Sequence, residues 1–89
     1  MAYLSKNLSV LAYANGFTLW HYTTTDLDTD VDTTGYFNVA ADMVRVGDII
    51  IANANTNGVA KAGLYWVNAN SAGVVDVADI TQIGVFDTD

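Results

Sequence analysis

Runs of aromatic and β-branched residues alternate with short Asn- and Gly-containing segments over most of this chain of 89 residues. F-T-L-W-H-Y-T-T-T covers residues 17–25, and I-I-I-A-N covers 49–53. N-A-N-T-N-G-V (53–59) and N-A-N-S-A-G-V (68–74) form a short repeat that follows two apolar runs. Aromatic and β-branched side chains favour strands, and Asn and Gly tolerate the positive φ of hairpin turns. The pattern predicts an all-β fold, a compact β-sandwich or small barrel, with strands at 17–25, 48–53, 61–67, 73–78 and near 81–86.

The first sixteen residues are predicted to form an N-terminal arm before a single β domain at 17–89. Leu4, Leu8 and Leu11 fit one face of a helix, with Ser5 as its N-cap. The same residues also fit an arm with a short strand near Ser9–Tyr13. We favour the arm, because nothing downstream resembles a companion helix.

Both faces of the predicted strands carry large apolar groups. In the strand at 17–25, residues 17, 19 and 21 face one side, and residues 18, 20 and 22 face the other. The three isoleucines at 49–51 are expected to be buried on both faces. Between these strands, Asn38 is a candidate cap for a single helical turn across Val39–Met43. A strand on a one-sided sheet would alternate more cleanly, so we expect the second face to meet another sheet or subunit.

The composition favours self-association. The chain is 52% hydrophobic and 15% charged, against roughly 25% charged residues in ordinary soluble domains. Three cations, Lys6, Arg45 and Lys61, accompany ten acids, all of them aspartate. There are no cysteines, so disulfides and thiolate zinc sites are excluded. A domain this small needs reinforcement, which leaves a bound cation or copies of itself.

The charge and hydropathy exclude two further classes of partner. A net charge of −7 argues against nucleic acid, because phosphate affinity comes from Lys and Arg. The longest apolar run is far short of the roughly 20 residues of a membrane helix, so no membrane partner is expected. The N-terminus lacks the apolar stretch of a secretory signal, and none is predicted.

The stretch D-L-D-T-D-V-D, residues 26–32, places a carboxylate at every second position. An EF-hand loop that began at Asp26 would need Gly and Glu where Val31 and Phe37 stand. In an extended segment the four carboxylates share one face and repel one another unless a cation or water screens them. We interpret the segment as a loop that faces water, with a weak calcium site as the alternative. The candidate ligands are Asp26, Asp28, Asp30 and Asp32.

No constellation of residues predicts catalysis, and we expect that the chain is not an enzyme. His21 is the single histidine, and no nucleophile or zinc motif surrounds it. Neither of the glycine-rich phosphate-binding patterns occurs, and no cofactor is predicted. Aromatic residues serve cores and subunit contacts more often than sugar sites. The candidate interface residues are Phe17, Leu19, Trp20, Tyr22, Arg45, Tyr65 and Trp66. For Arg45 we also expect a pairing with Asp42 or Asp48.

Two stretches, G-F-T-L-W-H-Y-T-T (16–24) and G-Y-F-N-V-A-A-D-M-V-R-V-G-D-I-I (35–50), resemble small structural proteins of tailed bacteriophages and their prophages, encoded among the late virion genes. The resemblance spans most of the chain and is closest over residues 17–50. It lies in aromatic and turn positions, contains no catalytic motif, and carries over no functional residue. It implies a virion component, either a head decoration (cement) protein or a short fibre or spike module.

Composition and resemblance together give the functional expectation. The chain is expected to bind and stabilise the outer head surface as a homotrimer, with the phage major capsid protein as its partner. Its location would be the virion surface, after synthesis in the host cytoplasm. The candidate shell contacts are the arm, residues 1–10, and Arg45. The alternative is a fibre, spike or tail-tip module that binds a host glycan through an exposed Trp or Tyr.

Overall fold

The computed structural model describes residues 3–85, which form six strands with one short helix. The all-β prediction is confirmed. Every strand predicted from 17 onward is present, although the proposed extension of the last strand to residue 86 lies outside the described residues. The elements are β1 (Leu8–Ala14), β2 (Phe17–Thr23), α1 (Asp28–Val31), β3 (Ile49–Ala54), β4 (Lys61–Ser71), β5 (Val74–Val77) and β6 (Thr81–Ile83), with 3₁₀ turns at Ser5–Asn7 and Asn38–Ala40.

The strands lie side by side in one open sheet in the order β1-β2-β3-β4-β5, and β6 also pairs with β4. All neighbouring strands are antiparallel except β2 and β3, which are parallel. A parallel pair needs a connection that returns over the sheet. That connection, residues 24–48, is called the crossover below. The second layer is therefore the crossover rather than a second sheet, and the sheet does not close into a barrel.

The N-terminal segment contains the predicted strand, and the helix considered as its alternative is wrong. β1 pairs with β2 from Leu8↔Tyr22 to Ala14↔Phe17 across the two-residue turn Asn15-Gly16. Helical structure before it is limited to the 3₁₀ turn Ser5–Asn7. A strand ladder supplies the backbone hydrogen bonds of these residues, which outweighs their weak helical spacing. Residues 1 and 2 of the predicted arm lie outside the described part of the chain.

One face of the sheet packs against the crossover and forms the hydrophobic core. Along β2 and β3 the buried residues are the even-numbered ones, because successive side chains point to opposite faces. The crossover contributes Val31, Phe37, Ala40 and Val44 to the same cluster. The core face of the sheet contributes Trp20, Tyr22, Ile50, Ala52, Tyr65, Val67, Val75 and Val77.

The opposite face is called the open face, and its side chains are only partly buried. Ile49 and Ile51 are partly exposed there, whereas Ile50 is fully buried. The prediction that residues 49–51 are buried on both faces is thus wrong for one face, because the crossover covers only the other. The strand register places on the open face Ser9, Ala12, Ala14, Phe17, Leu19, His21, Thr23, Ile49, Ile51, Asn53, Ala62, Leu64, Trp66, Thr81 and Ile83, and at its β5 end Ala69, Ser71, Val74 and Asp76.

The two copies of the short repeat do not have equivalent structures. Asn55 begins a turn after β3 and adopts a positive φ of 55°. In the second copy β4 continues through Ser71, so the turn consists of Ala72 and Gly73 alone. Ala72 has a φ of 54°, which strains a residue with a Cβ atom.

Replacing Ala72 with Asn is expected to stabilise the fold by about 1 kcal/mol, because Asn-Gly suits a two-residue hairpin turn with positive φ at both positions. Chemical denaturation of Ala72→Asn would show a higher midpoint with an unchanged slope. Ala72→Val is the opposing control and should destabilise. An Asn variant less stable than the parent would contradict the assigned strain.

Candidate functional site

The Asp-rich stretch is not a uniform loop. Residues 28–31 form α1, so the alternation of an extended chain is lost and the four carboxylates do not share one face. Asp26 is buried and Asp28, Asp30 and Asp32 are partly buried. The interpretation as a loop that faces water is therefore wrong, most clearly for Asp26. The physical reason is contact with two tyrosines: the Tyr36 hydroxyl donates to the Asp26 carboxylate, and the Tyr65 hydroxyl of β4 donates to the backbone carbonyl of Asp28.

A chain of hydrogen bonds runs from the N-terminal segment to Asp26. The Tyr36 hydroxyl donates to Oδ2 of Asp26 at 2.6 Å, and the hydroxyls of Tyr22 and Tyr36 are 2.9 Å apart. The backbone N–H of Leu4 donates to the Tyr22 hydroxyl at 3.1 Å. Since the one hydroxyl proton of Tyr36 goes to the carboxylate, Tyr22 must donate to Tyr36. The direction of all three bonds is thereby fixed, and it ends on a negative charge.

These hydrogen bonds, together with burial, shift the pKa values of Asp26 and Tyr36. Burial alone would raise the pKa of Asp26, but hydrogen bonds to its carboxylate, including that from Tyr36, hold the pKa below its ordinary value. Burial, together with donation to Asp26, raises the pKa of Tyr36, which stays neutral. The rings of Tyr3, Tyr22, Tyr36 and Phe37 pack around the bonds with centroids 5.0–6.3 Å apart.

Tyr36→Phe is expected to lower the free energy of unfolding by about 1–2 kcal/mol at neutral pH, because a buried carboxylate and the Tyr22 hydroxyl each lose a partner. A carboxylate with a depressed pKa stabilises the fold above the unfolded pKa and loses that contribution as pH falls through the folded pKa. The deficit of the variant should therefore shrink in acid. Tyr13→Phe, at an exposed hydroxyl, is the control and should change little. Denaturation curves at neutral and at acidic pH measure the loss, and equal losses under the two conditions would contradict this assignment.

A second acidic group lies where the crossover meets the end of β5. Burial raises the pKa of Asp32, and the nearby carboxylates of Asp79, Asp28 and Asp76 raise it further. Lys61 offsets part of this repulsion, with Nζ at 3.5 Å from Oδ1 of Asp28. A carboxyl group with a raised pKa takes up its proton at a higher pH in the folded chain than in the unfolded chain. The free energy of unfolding therefore increases as pH falls through the range between the folded and unfolded pKa values.

Asp32→Asn is expected to raise the free energy of unfolding at pH 7 by roughly 0.2–1 kcal/mol, the range for like charges partly screened by water. The gain should vanish near pH 3, where a proton has already removed the repulsion in the parent chain. Denaturation curves at both pH values measure it. Asp42→Asn, at an exposed carboxylate of the same crossover, should show no comparable gain.

The candidate metal ligands do not converge in the described residues. Within residues 3–85, no group of three or more His, Cys, Asp or Glu side chains could hold a metal ion. Asp30 instead lines a cavity of about 350 Å³ together with Thr33, Gly35 and Tyr36. A calcium site at residues 26–32 remains a prediction from the sequence.

Asp48 holds the end of the crossover against β2, a role that the sequence analysis missed. Its Oδ1 accepts the backbone N–H of Thr18 at 2.9 Å. Its Oδ2 accepts Nε1–H of Trp20 at 3.0 Å and the backbone N–H of Arg45 at 2.9 Å. The side chain is fully buried. The predicted contact of Arg45 with Asp48 exists, but the backbone of Arg45 makes it rather than the guanidinium. An aspartate directly before three isoleucines was the available signal.

Two asparagines fasten the crossover to the far half of the sheet. Nδ2 of Asn70 donates to the carbonyl oxygens of Ala41 and Val44 at 2.8 and 2.7 Å. Oδ1 of Asn38 accepts the backbone N–H of Val75 at 2.8 Å. The predicted helical turn is present as Asn38–Ala40, but Asn38 is its first residue and does not cap it. The crossover is thus a fixed layer, and the open face is the surface left for contacts.

The predicted interface residues divide between the core and the surface. Trp20, Tyr22 and Tyr65 are buried core residues, so within this fold their burial is already complete. Phe17 and Leu19 lie partly exposed on the open face. Trp66 lies on the same face with half of its side chain exposed, and Arg45 is exposed on the crossover.

The open face carries no formal charge over β1, β2, β3, β6 and the part of β4 that pairs with β3. None of its residues there is Asp, Glu, Lys or Arg, and the one ionisable residue among them is His21, whose Nε2 is 3.4 Å from Nδ2 of Asn53. Six of the ten aspartates belong to the crossover, on the other side of the sheet. Asp76 lies on the β5 end of the open face, and Asp79 follows β5. Apart from this end of the sheet, hydrophobic and charged surfaces are separated on this molecule.

A shallow cavity of about 170 Å³ lies at that end of the open face. Trp66 and Asp79 both line it, together with Ile49, Leu64 and Thr81. An exposed indole beside a carboxylate is a pairing that can stack on a sugar ring and accept its hydroxyl protons.

The comparisons with known proteins identify no relative. No protein-family model matches the chain, and no curated protein or solved structure matches it. No helix in the described part of the chain has the length and apolarity needed to cross a membrane.

Proposed function

We propose that this chain is a structural protein of a tailed-phage virion that binds the outer head surface and stabilises it as a homo-oligomer. The observation that carries the proposal is the largely uncharged open face on one side of the sheet, with the acidic crossover on the other. The resemblance of residues 16–24 and 35–50 to virion proteins supports the same assignment. The expected partner is the major capsid protein, on the virion surface, after assembly in the host cytoplasm.

The size of the open face explains why several copies are needed. Five strand widths of about 4.8 Å, with strands that average roughly six residues in length, give a face of roughly 400–500 Å² in projection. A standard interface buries about 800 Å² per partner. A single copy therefore offers a modest contact, and joining copies multiplies it through effective concentration.

The acidic side suits the surface that stays in water. Carboxylates on the crossover keep the outer surface of a bound subunit hydrated and repel other virions. Away from Asp76 at its β5 end, the open face has no charge to desolvate, so burying that part against a shell leaves no ion unpaired. The two surfaces thus fit opposite environments.

Binding to heads can be tested by co-sedimentation with purified capsids of the phage or prophage that encodes the chain. Leu64→Asp places a charge in the middle of the open face and is expected to weaken binding at least tenfold, because the buried charge has no partner. Val39→Asp, at a 75% exposed position on the crossover, is the matched control and should bind like the parent. Equal binding of parent and Leu64→Asp would reject the proposed surface, and absence of the chain from purified virions would reject the function.

The predicted trimer and the predicted calcium site can be examined in one experiment. Light scattering on a sizing column gives the molar mass with calcium and with EDTA. Three subunits in both buffers would fit the trimer without a structural cation. A mass that falls in EDTA would assign a cation to the Asp-rich stretch.

The cavity beside Trp66 favours a second candidate, a fibre or tail-tip module that binds a host glycan. Trp20 is buried with its Nε1–H bonded to Asp48, so a sugar at the open face would change the fluorescence of Trp66 alone. Titration with a panel of bacterial surface sugars should then give a signal that disappears in Trp66→Phe. No change with any sugar would favour the head-binding function.

A further inference from the structure

β1 is an edge strand whose outer side is unpaired in the described structure. Among the strands formed by residues 3–85, β1 pairs with β2 only. Its seven residues therefore present a row of backbone N–H and C=O groups on the side away from β2. Such a row is a template for a strand from another chain.

The side chains of β1 do not protect this edge. Val10, Leu11 and Tyr13 are 56%, 54% and 71% exposed. Natural edge strands are usually blunted by short length, lysine, proline or a bulge. Here residues 8–14 contain no charged residue and no proline, and the single protective feature is the bulge between Val10 and Ala12. Apart from this bulge, β1 lacks the features that usually prevent another strand from pairing with a sheet edge.

The charge distribution favours a second copy of this chain as the partner. Two copies with a net charge of −7 each repel one another wherever their acidic surfaces meet. β1 lies at the opposite edge of the sheet from β5, which carries Asp76 and precedes Asp79. The described charged residue nearest to β1 in sequence is the cation Lys6. Two copies can therefore approach through β1 without bringing carboxylates together.

Strand lengths select the symmetry of the contact. A head-to-tail ring would join β1 to the other edge of the sheet, but that edge is divided between β5, with four residues, and β6, with three. The strand that matches the length of β1 is β1 itself. A self-complementary contact of this kind is isologous and has two-fold symmetry.

We propose that two copies of this chain pair through antiparallel β1 strands, which joins their sheets into one. This inference rests on the self-association in the proposed function and specifies its surface. The basic unit of the assembly is then a dimer rather than the trimer expected from the sequence. The open faces of both copies remain available on the joined sheet.

The test uses the absence of native cysteines. Single cysteines are introduced at Ser9, Val10, Leu11, Ala12 and Tyr13 in the full chain, without capsids present, and oxidised under mild conditions. In a two-fold antiparallel pair one position faces its own copy within disulfide reach, whereas neighbouring positions are too far from theirs. Cross-linked dimer should therefore peak at one of the five positions. Val59→Cys, on an 81% exposed turn, is the control and should not cross-link at the same concentration.

A charged edge provides the second readout. Tyr13→Lys is expected to raise the dissociation constant of the pair at least tenfold, whereas Val59→Lys should leave it unchanged. A monomer at all concentrations, or an assembly whose mass ignores Tyr13→Lys and whose cross-links show no position dependence, would overturn the proposal. If Leu64→Asp loses head binding while the β1 cross-links still form, only the contact through the open face has been lost. Failure of one proposal therefore does not imply failure of the other.

Discussion

Asp48→Ala is expected to lower the free energy of unfolding by about 3–5 kcal/mol, the largest effect of any single substitution considered for this protein. The side chain is fully buried and accepts three hydrogen bonds. Alanine would leave the buried N–H groups of Thr18 and Trp20, and the partly buried N–H of Arg45, without their acceptor. Because these donors belong to β2 and to the crossover, the substitution also separates the two layers of the core.

Two comparisons give the prediction its specificity. Asp48→Asn keeps the volume but directs an NH₂ group at one set of donors, so its loss should fall between that of alanine and the parent. Asp42→Ala, at an exposed position six residues earlier, should remain within about 0.5 kcal/mol of the parent. Urea denaturation followed by tryptophan fluorescence measures all three. An Asp48→Ala variant as stable as the Asp42→Ala control would contradict the role assigned to this carboxyl group.

The strands were predictable from the sequence because their signals are local. Residues 17–23 and 49–54 are dense in aromatic and β-branched residues, Asn15-Gly16 precedes the first run, and Asn and Gly follow the second. These features act within a few residues of each other, so tertiary structure did not have to be known. The one ambiguous segment, residues 8–14, has a pattern compatible with helix or strand, and only pairing with β2 decides between them.

The order of strands was not predictable, and neither was the covered face. No local sequence pattern indicates that β2 and β3 run parallel or that residues 24–48 return over the sheet. That path is decided by long-range bonds such as Gly35 N–H to the Val75 carbonyl and Gly47 N–H to the Val67 carbonyl, both at 2.8 Å. Since both faces of β2 carry large apolar side chains, the sequence could not tell that Trp20 is core and Leu19 is open face.

The candidate site was predictable to the same limited extent. Leu19 and Trp66 were expected at an interface and lie on the open face, because apolar content alone identifies surfaces that avoid water. The aspartate stretch misled, since alternation predicts a shared face only in an extended chain and residues 28–31 are helical. The buried carboxylate of Asp26 accepts a hydrogen bond from Tyr36, ten residues further on, and this partner is recognisable only once the crossover is folded.

Gly63→Ala is expected to destabilise the fold by about 3 kcal/mol, the upper end of the range for overpacking a core. Gly63 lies on the core face of β4, opposite Gln82 of β6. A Cβ atom there would be 2.5 Å from Cγ1 and 2.7 Å from Cδ1 of Ile80, and 2.7 Å from the carbonyl oxygen of Thr81. A side chain can adopt another rotamer, whereas the carbonyl belongs to the ladder that holds β6.

The double variant Gly63→Ala with Ile80→Ala separates the two contacts. Removing the isoleucine side chain relieves its part of the clash, but the Thr81 carbonyl still meets the new methyl group. We therefore expect the loss of unfolding free energy in the double variant to be smaller than the sum of the losses in the two single variants. The double variant should still be less stable than Ile80→Ala alone. Hydrogen exchange of the β6 amides, measured by NMR, should be faster in Gly63→Ala and in the double variant. Full recovery by Ile80→Ala would show that β6 does not approach β4 as closely as the structure indicates.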